Sequence, residues 1–165
     1  MKQTGVLDIQ ALRHIGNQEL EKIIKPSGFY RQKSNTLKLF VNVLYDICNA
    51  NIQLLSNYDT IYLRKLLLTI KGVGPETVDS ILLYALKRPV FVVDTYTKRF
   101  LRNHKLYQGD EKYDTIQSFF MTNLPTDTYL FNEFHALIVH LGKNFCRKVP
   151  ACEGCPLAED MEKVG

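Results

Sequence analysis

Three short stretches of this chain hold residue types that can do chemistry. The first is Leu68-Thr69-Ile70-Lys71-Gly72-Val73-Gly74-Pro75-Glu76-Thr77. Two helices joined by a Gly-x-Gly turn leave unpaired backbone N–H groups at the start of the second helix. Glycines at both turn positions permit positive φ and let a phosphate come close, while the helix N-terminus adds partial positive charge. Such a turn grips a sugar-phosphate backbone without reading sequence, although most such turns are plain helix connectors. The second stretch is Val92-Val93-Asp94-Thr95-Tyr96-Thr97-Lys98-Arg99. An aspartate between an apolar run and a helical pattern is by default an N-cap; a carboxylate there can also stabilise developing positive charge or activate water. The third is Cys146-x5-Cys152-x2-Cys155, a density of thiols that in a reducing compartment usually means metal.

Charge is unevenly spread around these stretches. Nine basic residues and three acidic ones lie between Ile61 and Lys105, giving that segment a net +6 against +4 for the whole chain. A local positive field suits a polyanion, and a solvated basic face is the alternative. The 165 residues are 45% hydrophobic, which excludes intrinsic disorder and supports one or two small domains. No apolar run approaches the length of a membrane span, and the first residues lack the apolar core of a signal peptide. The expected location is the cytoplasm, associated with the nucleoid, where the four cysteines stay reduced.

The elements that must position these residues read as helices. Leu37, Phe40, Val43, Leu44 and Ile47 share one helix face. Asp59 or Thr60 caps a helix carrying Leu63, Leu66 and Leu67, which the glycine turn stops. Pro75 suits the first position of a helix whose apolar stripe is Val78, Ile81, Leu82 and Ala85. Val90–Val93 is a β-rich run without a partner strand and reads as an extended buried connection. Asp94 then caps a helix over Thr95–Asn103, and further helices fit Glu111–Asn123 and Asp127–Asn144. Two weaker helical patches precede Lys25, and Pro26-Ser27-Gly28 breaks them from the next helix. The fold class is all-α. Cys48 reads as a core thiol. His135 and His140, five residues apart on one helix, cannot share a metal, and His135 reads as a packed structural residue. Phe131, Phe134 and Phe145 read as core.

Taken together, the hairpin, the Val-Asp-Thr sequence about twenty residues beyond it and the C-terminal cysteines resemble the helix-hairpin-helix DNA glycosylases of the endonuclease III family. The likeness begins near Gly28-Phe29-Tyr30-Arg31-Gln32-Lys33 and covers most of the chain. It implies a two-lobed helical fold with the active-site cleft between the lobes. Residues 1–24 would be a remnant of N-terminal helices, 25–125 a helical domain holding the hairpin at about 61–86, and 126–165 the helix and cysteine loop completing the second lobe. Family members carry helices ahead of this match that nothing before Gly5 resembles, so the chain is expected to be N-terminally truncated relative to them.

The resemblance also assigns roles. Asp94 would stabilise the oxocarbenium-like charge on deoxyribose, or activate the attacking water, after the damaged nucleotide is flipped from duplex DNA. Lys71, Gly72, Val73, Gly74, Thr77, Lys98, Arg147 and Lys148 would contact DNA. Bifunctional members use a hairpin lysine as nucleophile where this chain has Glu76, and a carboxylate cannot form a Schiff base. Glu76, which is also a first-turn acid favouring the helix dipole, therefore implies a monofunctional glycosylase. Lys71 as a substitute nucleophile is the lesser alternative to phosphate contact. Gly-Val-Gly-Pro-Glu-Thr and Pro26-Ser27-Gly28-Phe29-Tyr30 resemble the 3-methyladenine glycosylase III type, implying an alkylated purine as substrate. Alternatives are a bifunctional glycosylase/lyase on oxidised pyrimidines and a catalytically dead DNA-binding remnant. The expected partner is double-stranded DNA containing a damaged base, bound by a monomer away from membranes. Cys146, Cys152 and Cys155 resemble a [4Fe–4S] loop with Met161 at the fourth ligand position. An intact cluster with an unusual ligand, a labile three-cysteine cluster, a vestigial loop and, less favoured, a zinc site remain open.

Overall fold

A computed structural model describes residues 8–159. Every regular element among them is helical, in agreement with the all-α reading. The chain forms two compact units, Met1–Gly74 and Pro75–Gly165, dividing inside the glycine turn. This partition by contact differs from the sequence-based boundaries at 24/25 and 125/126. Among the described residues, no helix is long and apolar enough to cross a membrane.

In the first unit, helices α1 (Ile9–His14) and α2 (Asn17–Ile24) pack on α3 (Tyr30–Cys48). Asp8 starts α1 by accepting from the Gln10 and Ala11 amides. Leu12 and Leu20 meet Val41 of α3 in a small apolar cluster. The Lys38 ammonium donates to the Leu12, Arg13 and Ile15 carbonyls, closing the C-terminal end of α1 with a cation where the helix leaves acceptors unpaired. The break at Pro26–Gly28 is a single 3-10 turn, Lys25–Ser27, followed by left-handed backbone at Gly28 (φ +65°) and Phe29 (φ +46°). A 3-10 segment, Ile52–Asn57, leads to α4 (Thr60–Leu68), which Asp59 caps as expected. Cys48 is buried and donates to the Leu44 carbonyl, as a core thiol does.

The second unit begins with α5 (Pro75–Ser80), which converts to a π-helical turn at Ile81–Ala85 rather than continuing as the single α-helix expected. The turn closes through the Leu86 amide on the Ile81 carbonyl. Val90–Val93 comes next as a buried extended segment with no strand partner among the described residues; the Val90 amide donates to the Arg88 carbonyl, and two side chains hold the rest. Gln117 Nε2 donates to the Phe91 carbonyl (2.6 Å) and to Asp79 Oδ2 (2.7 Å), and the Val93 amide donates to the Tyr113 hydroxyl (3.4 Å). Phe91 fills the middle of the unit, stacked on Phe120 at 4.0 Å and edge-on to Phe131 at 5.5 Å. Helices α6 (Thr95–Asn103), α7 (Tyr113–Asn123) and α8 (Thr128–Asn144) enclose it. Phe131, Phe134 and Phe145 all belong to this core, in line with the sequence.

The contact between α6 and α8 is unusually close. A Cβ at Gly142 would overlap the ring of Tyr96, so only glycine lets the two helices approach this far. Arg99 then bridges them, donating to the Gly142 carbonyl (2.8 Å) and to the Cys146 carbonyl. Replacing Gly142 by alanine overpacks the crossing and is expected to cost about 1–3 kcal/mol of stability, read as a lower Tm with unchanged helical signal at low temperature.

Candidate active site

Asp94 holds the N-cap of α6, and its two oxygens have separate surroundings. Oδ1 accepts from the Thr97 amide (2.7 Å) and from the Thr97 hydroxyl (2.9 Å), while the Asp94 amide donates back to that hydroxyl in a reciprocal capping box. Oδ2 takes no part in the cap. It lies 3.6 Å from Nε2 of His135 on α8, and the side chain keeps 12% of its surface exposed. Burial pushes the Asp94 carboxyl upward, but His135, the Thr97 amide and the Thr97 hydroxyl together outweigh it and hold the group below the ordinary carboxylate value. The result is an ionised carboxylate at neutral pH with one oxygen committed and one left over.

His135 is the site residue that sequence reasoning misses. Its packed position is confirmed, for only 10% of the side chain is exposed, and its ring lies edge-on to Phe91. Yet both ring nitrogens face polar groups. Nδ1 contacts the hydroxyl of Tyr84, carried by the π-helical turn, and Nε2 faces Asp94 without reaching hydrogen-bond distance of any acceptor among the described residues. The signal available in the sequence was its spacing from Gly142. Seven residues apart on α8, the two share a face, and the glycine that admits Tyr96 also brings His135 toward the start of α6.

The glycine turn is built as expected in part. Gly72 has φ +90°, and a Cβ there would overlap Thr36 Oγ1, whose hydroxyl donates to the Lys71 carbonyl at 3.2 Å. Gly74 has no positive φ, and a Cβ on it would meet nothing within 4 Å. The expectation that both glycines relieve backbone strain is thus corrected: only Gly72 does. Lys71, Gly72, Gly74, Glu76 and Thr77 are exposed and Val73 is half-buried. Lys71–Gly74 close the first unit, and Glu76 and Thr77 open the second.

The remaining candidates divide. Arg147 and Lys148 are exposed. Lys98 is half-buried, with its ammonium on the Glu111 carbonyl (2.8 Å), so its cation is already engaged inside the unit. Among the described residues, no three of His, Cys, Asp or Glu are placed to hold a metal ion. Cys146 and Cys155 are drawn into the interior, Cys155 as part of the apolar core, while Cys152 stays exposed. Cys146 Sγ instead lies 3.5 Å from His104 Nε2, and burial is the main cause of its raised thiol pKa. Cys155 and Cys152 lie near enough to raise the Cys146 thiol further, and Met161, at the fourth ligand position, lies outside the described residues.

Residues 1–126 match the family described as HhH-GPD superfamily base excision DNA repair protein. A Methanocaldococcus jannaschii protein assigned by name as a DNA repair glycosylase is 41% identical over 160 residues, which cover 96% of this chain and 73% of that protein. Endonuclease III of Sulfolobus acidocaldarius is 26% identical over 156 residues, covering 94% and 67%. Among solved structures, H. pylori 3-methyladenine DNA glycosylase (MagIII) bound to 1,N6-ethenoadenine matches with a TM-score of 0.75 at 26% identity, over 91% of this chain and 75% of that one. A non-covalent endonuclease III–DNA complex matches with a TM-score of 0.76 over 95% and 71%; at 22% identity this is a likeness of fold.

The two turn glycines separate experimentally. Gly72→Ala is expected to lose about 1–2 kcal/mol through left-handed backbone strain and displacement of Thr36, whereas Gly74→Ala leaves the unfolding midpoint in urea close to that of the parent protein.

Proposed function

The chain belongs to the HhH-GPD superfamily of base excision DNA repair proteins and is a DNA repair glycosylase of the endonuclease III family, and from that premise we propose that it hydrolyses the N-glycosidic bond of an alkylated purine in duplex DNA without cutting the strand. The observation that carries this reading is the Asp94 carboxylate, kept ionised in a partly dry setting with Oδ2 outside the helix cap. As the glycosidic bond lengthens, positive charge builds on the deoxyribose. A carboxylate with little water around it stabilises that charge more strongly than one in bulk solvent. The same oxygen can accept a proton from the water that attacks the sugar carbon, which leaves an abasic site and the free base.

Glu76 supports hydrolysis over lyase chemistry, since a carboxylate at the hairpin position cannot attack the sugar to form an imine. Lys71, exposed in the turn, serves as a phosphate contact. Gly74, with open space where a side chain would be, lets the DNA backbone approach the turn amides, and its neighbour Gly72 sets the turn itself. The similarity to a 3-methyladenine glycosylase bound to an etheno-purine favours a purine adduct over an oxidised pyrimidine. Because Asp94 sits below the usual carboxylate range, excision should persist to mildly acidic pH and fall only as that group protonates. The cysteine loop takes no part in these steps; Arg147 and Lys148 within it add positive charge toward DNA.

Incubation with methylated duplex DNA, analysed with and without alkali, tests the proposal. Strand breaks only after alkali are expected. Breaks without alkali would show lyase action, and none in either case would leave a DNA-binding remnant. Asp94→Asn keeps a residue that caps helices well and should lower excision at least about 100-fold with duplex affinity near that of the parent. Excision undiminished by that change overturns the role of Asp94.

A further inference from the structure

We propose that Tyr84 and His135 form a positioning array for Asp94, in which the Tyr84 hydroxyl donates to His135 Nδ1 and thereby places the ring proton on Nε2, the atom that faces the carboxylate oxygen left over by the helix cap. The functional half of this inference rests on Asp94 being the catalytic carboxylate; the array itself does not.

A neutral imidazole engages all three groups in one arrangement, and that is the arrangement proposed. A phenol has a single O–H to donate, and Tyr84 keeps its proton, because burial and then the negative charge of Asp94 both raise its pKa. Donation to Nδ1 requires a lone pair there, so the proton of the imidazole is on the opposite nitrogen. Nε2–H then points across 3.6 Å toward Asp94 Oδ2. This is a buried donor with no partner at hydrogen-bond distance among the described residues. A buried polar atom left in that condition costs stability unless something uses it. Here a small closure of the contact satisfies the donor and fixes Oδ2. The two carboxylate oxygens thus have separate holders: Thr97 for Oδ1 and His135 for Oδ2.

The backbone supplies both halves of the array. Tyr84 lies in the π-helical turn, where the wider winding shifts the side chains from their α-helical directions. His135 is brought up by the close α6–α8 crossing at Gly142. The titratable groups that face Asp94 are His135 from α8 and Tyr84 from the π-helical turn; its own helix adds the amide and hydroxyl of Thr97, which do not titrate.

The test is made by NMR on the free protein and by single-turnover excision. Long-range 1H–15N spectra are expected to show His135 as the Nε2–H tautomer, and Tyr84→Phe to convert it to a mixture. Carbon-13 titration of the Asp94 carboxyl should give a midpoint that rises in His135→Phe and returns toward the parent value in His135→Gln, whose amide can replace the Nε2–H donor. An Nδ1–H tautomer in the parent protein, or an Asp94 midpoint unmoved by His135→Phe, overturns the array. In excision, His135→Phe should slow the chemical step about 10–100-fold at unchanged duplex affinity, with partial rescue by His135→Gln. Unchanged excision overturns the positioning role even if the tautomer is as expected. Absence of excision in the parent protein refutes the proposed glycosylase function, and the array is then decided by the spectra alone. Should His135→Phe not fold, Tyr84→Phe carries the comparison: a tautomer mixture is expected in it, and an unchanged Nε2–H tautomer overturns the array.

Discussion

A single carboxylate starts a helix and, in the proposed function, remains available for chemistry, and the second unit meets both demands at Asp94. If both oxygens of Asp94 capped α6, the group would be purely structural; if neither did, it would have no fixed place. The capping box resolves this by concentrating two donors of Thr97 on Oδ1. The donors that fix the residue also stabilise its ionised form against the effect of burial. Helix capping and charge retention are therefore one interaction.

What surrounds Oδ2 depends on packing at a distance. Gly142 permits the near contact of α8 with Tyr96, Arg99 ties the crossing to the carbonyls of Gly142 and Cys146, and His135 is carried to the cap by its place on the same face of α8. Beneath it, Gln117 and Tyr113 of α7 hold the extended segment that leads straight into Asp94. Arg99, although it belongs to a basic stretch of the sequence, is a structural residue, and Arg102 is paired with Glu111 at the surface. The positive field that the sequence displays is thus smaller in free cations than its count of arginines.

Much of this was legible in the residue order. Helix periodicity, the caps at Asp59 and Asp94, and the buried Val90–Val93 connection come from local rules, and all are present. The π-helical turn was not legible, because its residues, Ile81-Leu82-Leu83-Tyr84-Ala85, read equally well as α-helix. His135 was legible only through its seven-residue spacing from Gly142, since a lone histidine on an apolar helix face gives no sign of the Tyr84 that a non-adjacent turn presents to it. Of the two reasons the sequence offered for Gly74, the backbone does not need the first, positive φ, which leaves open space for a close phosphate as the second. The cysteine spacing made the grouping of Cys146, Cys152 and Cys155 legible, but not the burial of Cys146 and Cys155 by tertiary packing.

The most direct measurement compares binding of duplexes that carry, at the damaged position, either a cationic pyrrolidine or a neutral tetrahydrofuran in place of deoxyribose. A carboxylate placed to stabilise positive charge on the sugar should favour the cationic ring by about 10-fold or more, and Asp94→Asn should abolish that preference while binding the neutral duplex as before. Equal affinity of the parent protein for the two rings, or a preference that survives Asp94→Asn, would contradict a catalytic Asp94.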